Sequence, residues 1–243
     1  MKHFHFDKIE STNDYTRELL GKYSPVAVSA KYQTNGRGRN QNVWYGEYGK
    51  NIYLSIGINH AEYIDAEKAS LLQAVGCLAV KKLLSDQILD VRFFIKYPND
   101  VYAEQDGVFK KISGVLTEHS FYGSKCHSSI IGIGVNVNQT VFPDDLSKTA
   151  TSIKKLGYEL SVETLTDKLI EYLEEFLYKD DKYIYDKWLN ELNLLNKTIL
   201  LLEDNSEWIV KELCFDGRLL VKNKVSDEQK FIDNGDSIRY NFY

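Results

Sequence analysis

The sequence predicts an α+β fold in which a large mixed domain precedes a small β module. Up to about residue 195, apolar runs of strand length alternate with apolar residues spaced three and four positions apart, the spacing of a helix. After residue 196 the chain consists of short alternating segments separated by polar turns, which is typical of strands. A length of 243 residues suits one large and one small domain, which we place at 1–194 and 195–243.

The first part of the large domain is predicted to contain one helix, two strands and a long loop. The polar segment Ser11–Asp14 carries side chains that can cap a helix, which we expect to run to about Leu20 and to end at Gly21. Apolar runs predict strands at 26–32 and 51–58. The stretch between them is rich in glycine, asparagine and arginine and lacks apolar periodicity, which predicts a loop.

The rest of the chain alternates between strand and helix patterns. A long helix is predicted at 65–84, and helical spacing returns between 162 and 195. Strands of the large domain are predicted at 91–95, 101–103, 112–118 and 129–137. Strands of the small module are predicted at 198–203, 207–215, 218–225 and 229–232.

Bulk composition restricts the class of function. A net charge of −5 and a pI of about 5.6 argue against general nucleic-acid binding, because a basic surface supplies most of that affinity. The three cysteines are far apart and the five histidines form no zinc motif, so we expect a cytoplasmic protein with reduced thiols and without zinc. No stretch approaches the roughly 18 apolar residues of a membrane-spanning helix, and the N-terminus lacks the apolar region of a signal peptide.

The segment Gly36–Trp44, which we call the arginine loop, alternates two arginines with glycines ahead of a tryptophan. Glycine lets the backbone approach an anion closely, and neighbouring amides can form an anion-binding concavity. Arg37 and Arg39 add forked donors that match phosphate or carboxylate oxygens. Taken alone, the segment fits a solvated surface loop equally well, and a single tryptophan such as Trp44 is more often part of a core.

Three further segments place polar residues at strand ends or glycines within strands. In Lys96–Val101 a proline interrupts the strand and forces a turn. Asn99 and Asp100 can both be turn formers, and alternatively Asp100 can be a ligand of Mg²⁺. Lys111–Leu116 begins an apolar strand with a lysine, although most lysines are simply solvated. The glycines of Gly132–Asn138 indicate close approach by another group. No third glycine opens a helix there, so the segment is not a dinucleotide-binding fingerprint.

In this order and spacing, the segments together resemble the biotin protein ligases, in the form without an N-terminal DNA-binding domain. The resemblance is carried by Ser11-Thr12-Asn13, Gln33, Gly36-Arg37-Gly38-Arg39 with Trp44, Lys96-Tyr97-Pro98-Asn99-Asp100, Lys111-Ile112-Ser113-Gly114 and Gly132-Ile133-Gly134-Val135-Asn136. It covers roughly residues 9–153, and the final β module agrees with the family only in position and type. The family's usual K-W-P-N-D segment has a tyrosine here, Tyr97, in place of the tryptophan.

The resemblance implies a mixed sheet flanked by helices, similar to the catalytic core of class II aminoacyl-tRNA synthetases, followed by a small SH3-like β-barrel. It implies a biotin–[acetyl-CoA-carboxylase] ligase that uses ATP and Mg²⁺ to convert biotin into biotinyl-5′-adenylate. Biotin is then transferred to a specific lysine of a biotin carboxyl carrier protein. Neither DNA nor a membrane is an expected partner, whereas a homodimer remains open.

The resemblance also assigns site residues. It implies biotin-binding roles for Ser11, Thr12, Asn13, Gln33, Arg37, Gly38, Arg39, Lys111 and Gly114. It implies ATP- or adenylate-binding roles for Arg39, Trp44, Asn99, Lys111 and Asn136, and a magnesium-binding role for Asp100. Lys111, Arg37 and Arg39 are the expected catalytic residues, because two anions must meet and fixed cations reduce their repulsion.

Two other classes of function remain open at this point. A lipoate ligase shares the implied catalytic fold and the adenylation chemistry, although the paired arginines and the proline-asparagine-aspartate turn resemble the biotin branch. A non-enzymatic, biotin-responsive regulator would need a DNA- or partner-binding module, and none is evident in the sequence. Binding assays with biotin and with lipoate test the first alternative, and a gel shift with promoter DNA tests the second.

Overall fold

A computed structural model describes residues 1–242, whose strands form two sheets. Within this range the first sheet has seven strands: β1 (Lys2–Ile9), β2 (Val26–Gln33), β3 (Asn51–Asp65), β4 (Arg92–Lys96), β5 (Asp100–Gln105), β6 (Val108–Tyr122) and β7 (Lys125–Asn136). Their order across the sheet is β1-β2-β3-β7-β6-β5-β4. The pair β1–β2 is parallel and the other neighbouring pairs are antiparallel. The predicted mixed sheet is therefore confirmed.

Helices flank this sheet, as the resemblance implied. In the described part of the chain the α-helices are α1 (Thr12–Leu19), α2 (Ala66–Gln87), α3 (Val162–Leu177) and α4 (Asp181–Leu192). The long helix α2 packs on β6 and β7 through Gly76, where a side chain would collide with Val115 and Ile131. Helices α3 and α4 pack in turn against α2. The largest hydrophobic cluster of the molecule lies between these helices and the sheet.

The helices α1 and α2 lie on opposite faces of the first sheet. Successive side chains of a strand point to opposite faces. On β7, Ile131 faces Gly76 of α2, whereas a Cβ atom added to Gly132 would meet Asn13 of α1. The face beneath α1 is therefore the one on which the glycines of β7 leave space.

The small C-terminal module is confirmed as a curled, antiparallel sheet consistent with a small barrel. Its strands are β8 (Thr198–Leu201), β9 (Glu207–Leu213), β10 (Leu219–Asn223), β11 (Gln229–Ile232) and β12 (Ile238–Arg239). They are ordered β11-β10-β9-β8-β12. The proposed domain boundary between residues 194 and 195 falls between α4 and β8. It remains a prediction.

Tyr97 joins the two sheets. Its ring is buried, and its hydroxyl lies 2.9 Å from the carbonyl oxygen of Gly217 and 3.0 Å from that of Ile232. Its backbone N–H donates to the hydroxyl of Tyr240 at 2.8 Å. A buried hydroxyl needs a hydrogen-bond partner. The tyrosine that replaces the family's usual tryptophan is therefore fully accommodated by the C-terminal module.

The N-terminal region differs from expectation in two respects. No element was predicted before Ser11, yet β1 forms the parallel edge of the first sheet, and its mixed charged and aromatic sequence suits a strand of which most residues are exposed. Ser11 stands at the N-cap of α1 without a side-chain capping bond, so the predicted cap was wrong. The amide oxygen of Gln33, at the end of β2, instead accepts the backbone N–H of Thr12 at 2.7 Å.

Candidate active site

A cavity of about 540 Å³ opens on the α1 face of the first sheet. The predicted site residues that line it are Ser11, Thr12, Asn13, Gln33, Arg37, Gly38, Arg39, Trp44, Asn99, Asp100, Lys111, Gly114 and Asn136. The structure thus brings all of the sequence-predicted site residues together, although they come from the start of α1, four strands, the turn between β4 and β5, and the arginine loop. Their individual roles remain predictions.

One end of the cavity, which we call the neutral end, is lined by Thr12, Asn13 and Gln33, and the buried Ser55 contacts the first two of them. The Thr12 hydroxyl donates to the Gln33 amide oxygen at 3.0 Å. The Ser55 hydroxyl oxygen lies 2.7 Å from Thr12 Oγ1 and 2.6 Å from Asn13 Oδ1. Thr12, Asn13 and Ser55 are buried, so these hydrogen bonds fix the direction of each polar group without help from solvent.

Glycines of the sheet make room for the groups above them, as the sequence predicted. A Cβ atom at Gly132 would lie 2.2 Å from Asn13 Oδ1, and one at Gly134 would lie 2.3 Å from the indole of Trp44. At Gly114 it would lie 2.9 Å from the same indole. Trp44 therefore rests directly on the backbone of β6 and β7, an approach that no residue with a side chain would allow.

The arginine loop closes on itself above this surface. The N–H of Gly38 donates to the carbonyl of Asn42 at 2.7 Å, and the N–H of Trp44 donates to the carbonyl of Gly36 at 2.9 Å. Asn40, at the tip, adopts a left-handed conformation with φ of 53°, which asparagine tolerates better than most residues. These bonds hold Arg37 and Arg39 at a defined position over the cavity.

The two arginines of the loop have different partners. Arg37 forms a bidentate ion pair with Asp14, at 2.6 and 2.7 Å, and lies 3.5 Å from Glu118. The hydrogen bond from Arg37 is the main reason why the pKa of Asp14 lies below its usual value. Arg39 instead contacts the Asn99 amide oxygen at 3.3 Å and the carbonyl of Asp233 at 3.5 Å, both of which are uncharged.

The second end of the cavity, which we call the charged end, consists of Arg39, Asn99, Asp100 and Lys111. The Lys111 ammonium lies 2.7 Å from the Asp100 carboxylate and 5.6 Å from the Trp44 ring centre. The Asn99 amide N–H donates to the carbonyl of Val115 at 2.9 Å, which leaves its oxygen toward Arg39. This end can receive an anion, because its cations face the cavity in front of it.

Asn136 lies deeper than the other predicted ATP-binding residues. Its side chain is buried, and its amide N–H donates to the carbonyl of Thr151 at 3.0 Å. The segment that contains Thr151 is also bonded to Lys111, whose N–H donates to the Thr149 carbonyl at 2.8 Å. Asn136 thus helps to fix the wall of the cavity beside Lys111.

Several lining residues were missed by sequence reasoning. They are Tyr45, Tyr102, Phe142, Pro143, Asp145, Leu146, Thr149, Ala150 and Asp236. The group at 142–150 begins six residues after the end of β7, and this closeness in sequence to the glycine-rich strand was the available signal. Asp236 belongs to the C-terminal module and lines the cavity only because the two sheets pack together, so no local sequence pattern indicates it.

The fit of a magnesium ion depends on the carboxylates at the charged end. Among residues 1–242, no cluster of three or more histidine, cysteine, aspartate or glutamate side chains is placed to hold a metal by itself. Asp100 and Asp236 line the same cavity. Mg²⁺ commonly binds through one or two carboxylates together with substrate phosphates and water. The residues present therefore fit a magnesium ion that is bound jointly with a nucleotide.

Over the described residues, the structure contains no helix that is both long enough and apolar enough to cross a membrane.

Comparison with known proteins identifies relatives over most of the chain. The bifunctional ligase/repressor BirA of Bacillus spizizenii is 34% identical over 157 residues, which cover 63% of this chain and 46% of that protein. The biotin–[acetyl-CoA-carboxylase] ligase of Mycobacterium tuberculosis is 26% identical over 159 residues, covering 62% of this chain and 55% of that protein. This chain thus matches about half the length of these relatives.

A solved structure matches the whole fold. The biotin protein ligase of Aquifex aeolicus, in complex with biotin and ATP, superimposes with a TM-score of 0.76 and 28% sequence identity, covering 99% of both chains. The sequence profile of the Biotin/lipoate A/B protein ligase family matches residues 5–136, which is more than half of the chain. On this evidence the chain belongs to the Biotin/lipoate A/B protein ligase family.

Proposed function

We propose that this protein is a biotin protein ligase, which uses ATP to attach biotin to a lysine of a biotin carboxyl carrier protein. The observation that carries the proposal is the joining of a neutral, hydrogen-bonding end and a cationic end within one cavity. The Aquifex protein, which shares the complete fold, was solved with biotin and ATP bound, and this supports the same pair of substrates here.

The first step unites two anions. An oxygen of the biotin carboxylate attacks the α-phosphorus of ATP, the bond from that phosphorus to the bridging oxygen breaks, and pyrophosphate leaves. Two unit charges about 4 Å apart repel by about 4 kcal/mol at an effective dielectric constant of about 20. Arg39 and Lys111 face the position where the anions meet, and preorganised cations of this kind stabilise the charge that develops on the phosphate.

The neutral end suits the bicyclic urea of biotin. A urea has one acceptor oxygen and two N–H donors, so it requires a few polar partners of both kinds. We assign this task to Ser11, Thr12, Asn13 and Gln33, which carry hydroxyl and amide groups. Gly38 and Gly114, which also line the cavity, are assigned to the side of biotin that carries its carboxylate.

The nucleotide is assigned to the charged end and to the indole above it. Trp44, Asn99 and Asn136 contact the adenine and ribose side in this proposal, and Arg39 holds the α-phosphate. Asp100 would hold a magnesium ion that arrives with ATP. When bound, that ion neutralises part of the phosphate charge. Lys111, which pairs with Asp100 in the ligand-free protein, then donates to the carboxylate and phosphate oxygens.

The second step transfers biotin to protein. The amine of the carrier lysine attacks the carbonyl carbon of the mixed anhydride, the carbon–oxygen bond to AMP breaks, and the nitrogen releases a proton. The name of the Mycobacterium relative, an acetyl-CoA-carboxylase ligase, supports a carboxylase carrier domain as the acceptor. We expect the arginine loop to shield the bound anhydride from water until the lysine enters.

The test is incubation with ATP, Mg²⁺, biotin and a biotin carboxyl carrier domain, followed by mass measurement of the carrier. We expect a single biotin adduct that depends on ATP and that disappears when the acceptor lysine is changed to arginine. A parallel reaction with lipoate and a lipoyl carrier domain tests the alternative within the same family. Modification by lipoate but not by biotin would overturn the proposal.

A further inference from the structure

Four charged side chains join helix α1 and the arginine loop: Asp14, Arg17, Arg37 and Glu118, which we call the ion-pair network. Both carboxylate oxygens of Asp14 accept hydrogen bonds from Arg37, at 2.6 and 2.7 Å. Arg17 bridges the two carboxylates, with contacts of 2.9 Å to Asp14 and 2.8 Å to Glu118. Arg37 also lies 3.5 Å from Glu118. Two positive charges therefore balance two negative charges.

Glu118 connects this network to the neutral end of the cavity. The carboxylate oxygen that accepts from Arg17 also accepts from the amide nitrogen of Asn13, at 2.9 Å. The amide oxygen of Asn13 is bonded to Ser55 at 2.6 Å. Because both ends of this amide are engaged, its orientation is fixed. One carboxylate thus contacts both a residue assigned to biotin and the arginine that anchors the loop.

The geometry of the ion-pair network indicates that it stabilises the contact between α1 and the arginine loop more than ordinary surface ion pairs would. Isolated exposed pairs contribute little to stability. A bidentate arginine–carboxylate pair is stronger and more directional, and the Arg37–Asp14 pair has this form. The side chains of Arg37, Asp14 and Glu118 are 33%, 39% and 27% exposed, so solvent screens their charges in part but not completely.

We propose that Asp14 and Glu118 are positioning residues, which act through Arg37 to hold the arginine loop against α1 over the cavity. In this arrangement Arg37 anchors the loop, and Arg39 and Lys111 supply the charge that meets the phosphate. The loop is closed by the network before ligand binds. The catalytic consequence rests on the proposed function, whereas the structural consequence does not.

The test compares two isosteric variants with a matched control. Asp14→Asn and Glu118→Gln remove one charge each and keep the shape of the side chain. Asp86→Asn is the control, because Asp86 also accepts two side-chain hydrogen bonds, from Lys82 at 3.0 Å and from Tyr172 at 2.7 Å, but lies on α2 outside the cavity lining. A fourth protein, Arg37→Gln, and its combination with Asp14→Asn complete a double-mutant cycle.

The first readout is hydrogen exchange of the Gly38 and Trp44 amides in the ligand-free protein, because both donate within the arginine loop. Hydrogen bonds between charged groups are stronger than those between neutral groups, so their loss in Asp14→Asn should accelerate exchange of these amides by about tenfold or more. The Asp86→Asn control should exchange these amides at the parent's rate, and the unfolding midpoint of each single variant should fall by no more than about six degrees. Exchange at the parent's rate in both network variants would overturn the proposal.

The second readout is the steady-state kinetics of pyrophosphate release. In the network variants the arginine loop should be closed in a smaller fraction of the molecules, so KM for biotin should rise by about tenfold. The value of kcat should change less, because bound substrate restores the closed position of the loop. In the Arg37→Gln background, Asp14→Asn should add less than about twofold, since its partner is already lost. An equal loss in both backgrounds would contradict action through Arg37. If the parent itself releases no pyrophosphate, the proposed function fails, while the exchange measurement still decides the positioning role.

Discussion

At the neutral end of the cavity the polar groups are hydrogen-bonded to one another and mostly buried, whereas at the charged end Lys111 and Asp100 form an ion pair that is partly exposed. Thr12 and Asn13 are 4% and 5% exposed. The side chain of Lys111 is 33% exposed and that of its partner Asp100 is 13% exposed. An uncharged group can therefore dock at a preformed surface, while an anionic group must displace the Asp100 carboxylate from Lys111. Arg39 contacts only uncharged groups in its described hydrogen bonds.

The largest effect is expected from Lys111→Ala at the charged end. Removal of one preorganised donor to a developing anion typically lowers kcat by about a hundredfold to a thousandfold, and we expect biotin-dependent pyrophosphate release to fall by that amount. The adjacent Lys110→Ala is the matched control, and the double variant tests whether Lys110 substitutes for its neighbour. Retention of more than about a tenth of the parent rate, a loss below about 1.4 kcal/mol, would remove Lys111 from this role.

At the neutral end, the corresponding test is Gly132→Ala, which adds a methyl group beneath Asn13. The added Cβ atom would lie 2.2 Å from Asn13 Oδ1, so Asn13 must move from its hydrogen-bonded position. Biotin must then bind against this overpacking, whose cost is about 1–3 kcal/mol, so we expect its affinity to weaken by about fivefold to a hundredfold. Gly21→Ala serves as the control, because no atom lies within 4 Å of its added Cβ. Unchanged biotin affinity, measured by calorimetry, would show that the neutral end does not bind biotin.

Arg39→Gly separates synthesis of the intermediate from its retention. Arg39 contacts only uncharged partners in its described hydrogen bonds, so its charge is available to the adenylate. Charge-assisted contacts contribute about 1.5–3 kcal/mol, and the lifetime of bound biotinyl-adenylate should fall by about tenfold to a hundredfold. Released adenylate acylates exposed lysines, so the variant should biotinylate added albumin without a carrier domain. Albumin labelling at the parent's level, with pyrophosphate still released, would contradict this role.

The smallest effect is expected outside both ends, at His119. Burial lowers the pKa of this histidine to about 4, below its ordinary value of about 6.5. The unfolded chain then binds a proton that the folded protein excludes, so the free energy of unfolding decreases as pH falls from 6.5 toward 4. Between pH 7 and 5.5 this amounts to about 1 kcal/mol. Urea unfolding at both pH values measures this change in the free energy of unfolding. The variant His119→Gln should lose the contribution of His119, and a pH dependence identical to the parent's would contradict the lowered pKa of this histidine.

Periodic features of the fold were predictable from the sequence, and contacts between distant segments were not. The spacing of apolar residues predicted α2 within a few positions, and apolar runs predicted the buried part of β3. The exposed end of β3, up to Asp65, was missed because its polar residues follow no apolar pattern. The strand β12 was missed because it has only two residues.

In the candidate site, too, residues with a local sequence signal were predictable and contacts between distant segments were not. Gly132 and the arginine loop were identified because glycine and arginine have special backbone and charge properties that are visible locally. Asp14 and Glu118 were missed because one looks like a helix-start residue and the other like a polar residue on a strand. Their role appears only when folding brings α1, β6 and the loop together.

The central claim is that one cavity brings a biotin carboxylate to the α-phosphate of ATP, and pyrophosphate exchange tests it most directly. The purified protein is incubated with ATP, Mg²⁺ and labelled pyrophosphate, without any carrier protein. We predict that label enters ATP only when biotin is present, and that lipoate does not replace it. The absence of biotin-dependent exchange, or equal exchange with lipoate, would contradict the account.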